Sequence, residues 1–120
     1  MQIETPMAAA LSHYLDLSTQ QMKMTAGNMA NVDTPEYKTQ GFDFEREFAN
    51  ALHKPVGQAD SAQIQSAEVE GLVSRPDGNN VSMDREAMQL AKTQLQFKTG
   101  VELLKREYSR VMDAIRSESK

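Results

Sequence analysis

The sequence predicts a mainly α protein: two long N- and C-terminal amphipathic helices in coiled-coil packing, with a short irregular middle region that has room for a β-hairpin. Three observations carry this prediction. Steps of four and three residues from Met83 reach Ala87, Leu90, Gln94, Phe97, Val101, Leu104, Tyr108, Val111 and Ile115, and only Gln94 interrupts the apolar or aromatic row. The same stepping near the N-terminus gives Ala8, Leu11, Leu15, Ser18, Met22, Thr25, Met29 and Val32, apolar at six of eight positions. The hydrophobic content of 39% and mean hydropathy of -0.59 are low for a compact globule and ordinary for exposed helices. The C-terminal seam runs ~50 Å and the N-terminal one ~39 Å, against the ~26 Å spanned by a compact domain of this size. Helices of that length need equally long partners, from this chain or from another copy.

Each element has its own local reason. Thr5 caps the first helix and Pro6 suits its first position. Gly27 near its end is either a weak point or a place of close backbone approach. The helix stops before Pro35, which disfavours helical backbone at Thr34. Phe44, Phe48 and Leu52 lie four apart, so a short helix is expected near 44–53, capped by Asp43 and ended by Lys54-Pro55-Val56-Gly57. The polar run from Gly57 to Gln63 has almost nothing to bury and is expected to be mobile in isolation. A loose alternation over Ile64–Val73 suggests a short strand. Arg75-Pro76-Asp77-Gly78-Asn79-Asn80 is a turn by composition, compatible with a hairpin pairing about 70–75 with 79–82. Ser82 caps the long helix, Asp84 and Glu86 favour its positive end, and Gly100 marks a close approach of another helix. Glu102 and Arg106 fit an i,i+4 pair on its wet face. The domain plan is therefore 1–32 helix, 33–81 loop, short helix and turn region, and 82–120 helix.

The chemistry of an enzyme is not legible. His13 and His53 are the two histidines, forty residues apart, and cysteine is absent, so neither a metal site nor a disulfide framework is indicated. No P-loop, G-x-S-x-G or G-x-G-x-x-G occurs. Asp43, Glu45 and Glu47 read as decoration of a wet face, and Asp77-Gly78-Asn79 lacks the further acidic ligands of a calcium loop. No cofactor and no small-molecule substrate are expected. A net charge of -4, from 13 basic and 17 acidic residues, argues against nucleic acid. No apolar run reaches the ~18 residues a membrane span needs. Met1-Gln2-Ile3-Glu4 begins no secretory signal of the basic-then-apolar kind, so any export is expected to use another route. Eight methionines and four phenylalanines suit adaptable helix packing.

Residues 28–38, Asn-Met-Ala-Asn-Val-Asp-Thr-Pro-Glu-Tyr-Lys, resemble the N-x-A-N-x-x-T-P-G-Y signature of the flagellar rod and hook family. Asn28, Ala30, Asn31, Thr34, Pro35 and Tyr37 match it one by one. Glu36 departs from the family's Gly, so the turn here is either type I or strained. The run Asp77–Glu86 and the glutamine-rich helix after it extend the likeness over most of the chain and are most similar to the family's B-type proximal rod members. The C-type rod member is the near alternative, although the Asn-containing motif that ends its last helix is not seen here. The resemblance implies a structural, non-enzymatic subunit exported by the flagellar type III apparatus without a cleaved signal peptide. It implies helical polymerisation through the terminal helices, torque transmission, and a place in the basal-body rod in the periplasmic space. The implied partners are itself, other rod proteins, a FliE-like adaptor, and the region of the MS ring and export gate.

The residues themselves agree with an assembling subunit. The expected assembly seam is Leu11, Leu15, Met22 and Met29 on the first helix, with Leu90, Phe97, Val101, Leu104, Tyr108, Val111 and Ile115 on the last. A lone two-helix hairpin still shows flanking apolar residues such as Met7, Tyr14, Leu17, Met24, Leu95, Leu103 and Met112, and is marginal in water. The competing reading is a soluble coiled-coil adaptor or export chaperone that binds one partner.

Overall fold

The computed structural model describes residues 5–53 and 64–118. The expected mobile run from Gly57 to Gln63 and the absence of a signal at Met1–Glu4 lie outside those residues. Helix α1 spans Pro6–Ala30, with the Thr5 hydroxyl oxygen accepting from the Ala8 N–H at 3.0 Å. Helix α2 spans Phe44–Leu52, capped by Asp43, whose carboxylate accepts from the Arg46 N–H at 3.2 Å. Helix α3 spans Met83–Glu118, with Ser82 Oγ accepting from the Arg85 N–H at 3.3 Å. All three starts follow the capping chemistry read from the sequence.

The shape is long. The extents are 70 × 26 × 19 Å and the radius of gyration is 18.4 Å, against about 13.6 Å for a compact domain of this length. Among the described helices and strands, α3 touches only α1. The two run antiparallel, since Thr5 at the start of α1 bonds to Glu107 late in α3, while Asn28 at the end of α1 bonds to Glu86 at the start of α3.

On α3 the contact line is not the apolar seam, while on α1 it takes in Ala8, Ser18 and Thr25 of the sequence-read row. On α3 the buried residues are Glu86, Thr93, Gly100 and Glu107, seven apart each time. On α1 they include Ser18, Gln21, Thr25 and Asn28. A seven-residue repeat drifts ~20° per two turns against a straight helix and is the spacing that left-handed coiled coils use. The inner face is mostly polar, with Ala8 buried beside it and Leu15 and Tyr14 packed over Gly100. Every buried side-chain N or O among the described residues has a hydrogen-bond partner, as a water-free interior requires. A Cβ on Gly100 would sit 2.8 Å from Leu15 Cδ2 and 3.1 Å from Tyr14 Cδ1, so its bare backbone sets how closely α1 approaches. Gly27 has nothing within 4 Å of a built Cβ, which removes close approach as its reason.

Helix α2 lies against α1. Tyr14 meets Phe44 and Phe48 edge-on at centroid distances of 5.4 and 5.6 Å, a favoured aromatic geometry. Tyr14 and Leu17, expected to remain exposed flanks, are thus half-buried and buried. Two short strands follow different partners from those the turn suggested. Strand β1, Gln40–Gly41, pairs antiparallel with β2, Ala67–Glu68, so the expected pairing of 70–75 with 79–82 is corrected. The reason is competition. Asn80 N–H donates to Tyr37 O and Thr39 N–H donates to Asn80 Oδ1, so the 79–80 backbone faces the segment after α1. What remains of the local hairpin is a closed turn, with Arg75 N–H on Asn79 O and Gly78 at φ 85°. Glu102 pairs with Lys105 at 3.7 Å rather than with Arg106.

The far end of the helix pair is held by Glu107. Its carboxylate accepts from Arg110 and from the Thr5 hydroxyl, both at 2.8 Å. Arg110 first and Thr5 second hold the Glu107 carboxyl below its ordinary pKa. A depressed carboxyl pKa contributes stability that is complete above the unfolded value of about 4.3 and is lost as pH falls through the lower folded value. Helicity of the wild-type chain should therefore drop more between pH 6 and about pH 3 than that of Glu107→Gln, measured by circular dichroism. Parallel titrations of the two would contradict this role.

Candidate functional site: the clasp and the seam

Where α1 ends and α3 begins, four asparagines tie the chain to itself. Asn28 uses its whole amide. Oδ1 accepts from the Gln40 N–H at 3.0 Å and the Tyr37 hydroxyl at 3.1 Å. Nδ2 donates to Gln40 O at 2.8 Å and to Glu86 Oε2 at 3.2 Å. Glu86 is fully buried, and its other oxygen accepts from Arg85 at 2.5 Å. Asn31 turns back on the helix end, donating to Gly27 O at 2.8 Å and accepting from Thr34 Oγ1 at 3.0 Å, so it satisfies a carbonyl the helix leaves open.

The second half of the clasp comes from the other end of the middle region. Asn79 Nδ2 donates to both Asn31 O and Thr34 O at 2.8 Å, and its Oδ1 accepts from the Val81 N–H at 2.8 Å. Thr39 N–H reaches Asn80 Oδ1 at 2.7 Å. Arg75 donates to Val32 O and Lys38 to Gly78 O. Apart from the local Asn79–Val81 bond, each of these contacts joins residues forty or more apart, on opposite sides of the helix junction. The clasp therefore forms only when both helices are in register.

Of the six family-motif residues, Asn28, Asn31, Thr34 and Tyr37 enter this network directly. Pro35 is exposed and shapes the turn; Ala30 is exposed at the end of α1. The turn itself is of the strained kind. Tyr37 N–H donates to Thr34 O at 3.2 Å, and Glu36 adopts φ 63°, a backbone region costly for any residue with a Cβ. Glu36 N–H donates to Asp77 O at 2.9 Å, and a Cβ on Gly78 would lie 3.3 Å from Glu36 Cα. Gly78 thus makes room for the residue that stands where the family has glycine. Sequence reasoning gave no role to Gln40, read Asn79 and Asn80 only as turn residues, and read Glu86 only as an acid at the positive end of the helix. The Asn pair directly after Asp-Gly and before a helix cap was the available signal for two of them.

The seam residues lie beside the polar contact line. At about 100° per residue, Leu15, Met22 and Met29 fall on the flank of α1 opposite that facing α2, and Val101, Tyr108 and Ile115 on the matching flank of α3, whereas Leu11 lines the hollow on the α2 side. Leu90, Phe97, Leu104 and Val111 fall closer to the contact line. In an antiparallel pair these two flanks open on one side, so together they line a groove on the side opposite α2. All are half-buried except Tyr108 and Ile115, which are exposed. The side facing α2 has its own apolar hollow of about 420 Å³ between Met7, Tyr14, Phe48 and Leu103. Among the described residues no His, Cys, Asp or Glu cluster suits a metal, and no helix is long and apolar enough to cross a membrane.

The junction of the two terminal helices is where the Asn-x-Ala-Asn-x-x-Thr-Pro run lies, the stretch that resembles the flagellar rod and hook signature. The comparisons narrow the class. Flagellar basal body rod protein FlgB of Cereibacter sphaeroides is 34% identical over 105 residues, covering 79% of this chain and 82% of the relative. The proteins of that name from Escherichia coli (strain K12) and Bacillus subtilis (strain 168) are 24% and 27% identical over 86% and 82% of this chain, covering 88% and 84% of the relatives. No protein-family profile matches the chain. The chain belongs to the FlgB family of flagellar basal body rod proteins.

Replacing Glu36 by Gly should stabilise the fold by about 0.5–1 kcal/mol, the relief of left-handed backbone less the added freedom of the unfolded chain. Gly78→Ala should act in the opposite direction, because its φ is 85° and its Cβ would meet Glu36. Denaturant titration of both variants checks the pair of signs.

Proposed function

We propose that this chain is a rod subunit that polymerises helically by burying its open groove against neighbouring molecules, and that the polymer transmits torque through that packing. The observation that carries the reading is the split between the two sides of the helix pair. The intrachain contact is mainly Ser18, Gln21, Thr25 and Asn28 with Ala8 against Glu86, Thr93, Gly100 and Glu107, while all twelve large apolar and aromatic residues of the long helix stay half-buried or exposed. Apolar area left open by folding is the main source of association free energy, at about 25 cal/mol per Å² once covered. A chain whose helices bury little inside themselves gains its order from neighbours, and this also keeps the single chain loose enough to be threaded through a type III export channel without a cleaved signal. We place it at the proximal end of the rod, in the periplasmic space, with other rod proteins, a FliE-like adaptor, the MS ring and the export gate as its surroundings. It acts by packing and carries out no reaction.

Phe97→Asp and Leu104→Asp each put an unpaired charge into the groove, a costly event once neighbours exclude water. Both should abolish motility and rod assembly while leaving expression near wild type. Lys92, exposed on α3, should tolerate substitution. Normal swimming of Phe97→Asp cells would overturn the assignment of this face.

A further inference from the structure

The turn that carries the second half of the clasp also holds the peptide link most open to spontaneous rearrangement. Of the six glycines, Gly78 alone follows an Asp or Asn. A glycine nitrogen has no side chain beside it to block its approach to the preceding residue. Gly78 N can therefore attack Asp77 Cγ. A C–N bond forms, the protonated carboxyl loses its OH, and that group leaves as water with the amide proton, closing a five-membered succinimide. Water then opens the ring at one of its two carbonyls. Opening at Cγ restores aspartate; opening at the main-chain carbon leaves isoaspartate, with the backbone running through Cβ and Cγ. Nothing is oxidised or reduced.

In the closed clasp the atoms of that step are engaged elsewhere. Gly78 N–H donates to Arg75 O at 2.8 Å, and Asp77 O accepts from the Glu36 N–H at 2.9 Å. Asp77 Oδ1 accepts from the Asn79 N–H at 3.0 Å and lies 3.7 Å from Arg75 Nε. Attack requires these bonds to be given up together, so the reaction waits on opening of the turn. Isoaspartate, once formed, lengthens the main chain by one carbon–carbon bond, ~1.5 Å. Asn79 follows directly, and its Nδ2 donates to Asn31 O and Thr34 O, both at 2.8 Å. Such bonds hold over only about 2.7–3.2 Å, so a change of that size is not absorbed. Slack is also missing on the other side, because a Cβ on Gly78 would already lie 3.3 Å from Glu36 Cα. We propose that Asp77–Gly78 is a site of spontaneous isomerisation to isoaspartate, that closure of the clasp suppresses it, and that a chain isomerised while open no longer closes the clasp. The protection is a property of the single chain, whatever covers the groove.

Ageing the full chain in warm neutral buffer, with and without urea, tests this. Isoaspartate is read by methyl transfer from S-adenosylmethionine with an isoaspartyl methyltransferase and located by peptide mapping. It should accumulate at position 77 several-fold faster in urea. Asn28→Ala opens the clasp from its far side without changing the sequence around Asp77, and should show the fast rate in buffer alone. Asp77→Glu, whose longer side chain closes the larger ring far less readily, should show no product at that position in either. The isomerised wild-type fraction, separated by chromatography and returned to buffer, should unfold at a lower denaturant concentration than the unmodified chain. Equal rates in buffer and urea, a slow rate in Asn28→Ala, or an isomerised chain with the unmodified midpoint would overturn the proposal.

Discussion

The bond on which the rest depends is the one between Asn28 and Glu86. It joins the end of one long helix to the beginning of the other, inside an interface from which water is excluded. A buried carboxylate is tolerated only with its partners in place, and here they are Asn28 and Arg85. Any slip of α1 along α3 by one turn would strand that charge. The pair therefore has one register, set by polarity rather than by interlocking apolar side chains. Single buried polar groups fix alignment in coiled coils in the same manner, at a cost in stability.

The clasp extends that constraint outward. Because Asn28 also holds Tyr37 and the Gln40 backbone, the segment after α1 is placed by the same side chain that places α3. Asn79 then fastens the segment before α3 to the end of α1. Folding of the junction is thus all-or-none, whereas the rest of the hairpin has little hydrophobic burial behind it. Val81, Leu17 and Ala8 are the buried apolar residues among those described. Such a molecule has a fixed corner and two long arms whose outer faces are unfinished. In the proposed assembly, neighbouring subunits would supply the covering that the single chain lacks.

Much of this was legible in the sequence. Thr5-Pro6, Asp43 and Ser82 announced the helix starts through their side-chain oxygens, and the four-three spacing gave both long helices. The motif from Asn28 to Tyr37 marked the junction. What spacing alone did not reveal was which stripe of α3 faces α1. Leu90, Phe97 and Leu104 suggested an apolar interior, but the line Glu86, Thr93, Gly100 and Glu107, adjacent to it and equally periodic, is the buried one. The deciding factors were a hydrogen-bond network spanning 58 residues of sequence, as for Asn28 and Glu86, and the absent side chain of Gly100. Neither leaves a hydropathy signal. The strand pairing of β1 with β2 was hidden for a similar reason: the turn at 75–79 advertised a local hairpin, while the amides of Asn79 and Asn80 were committed elsewhere.

The central claim is that the groove beside the polar contact line is open in the single chain and covered in the rod. Alkylation of a Val101→Cys variant tests it most directly, with the rate measured on the purified chain and on isolated basal bodies. Rapid labelling of the free chain and strong protection in basal bodies is the result this account predicts. Equal rates in the two states would contradict it.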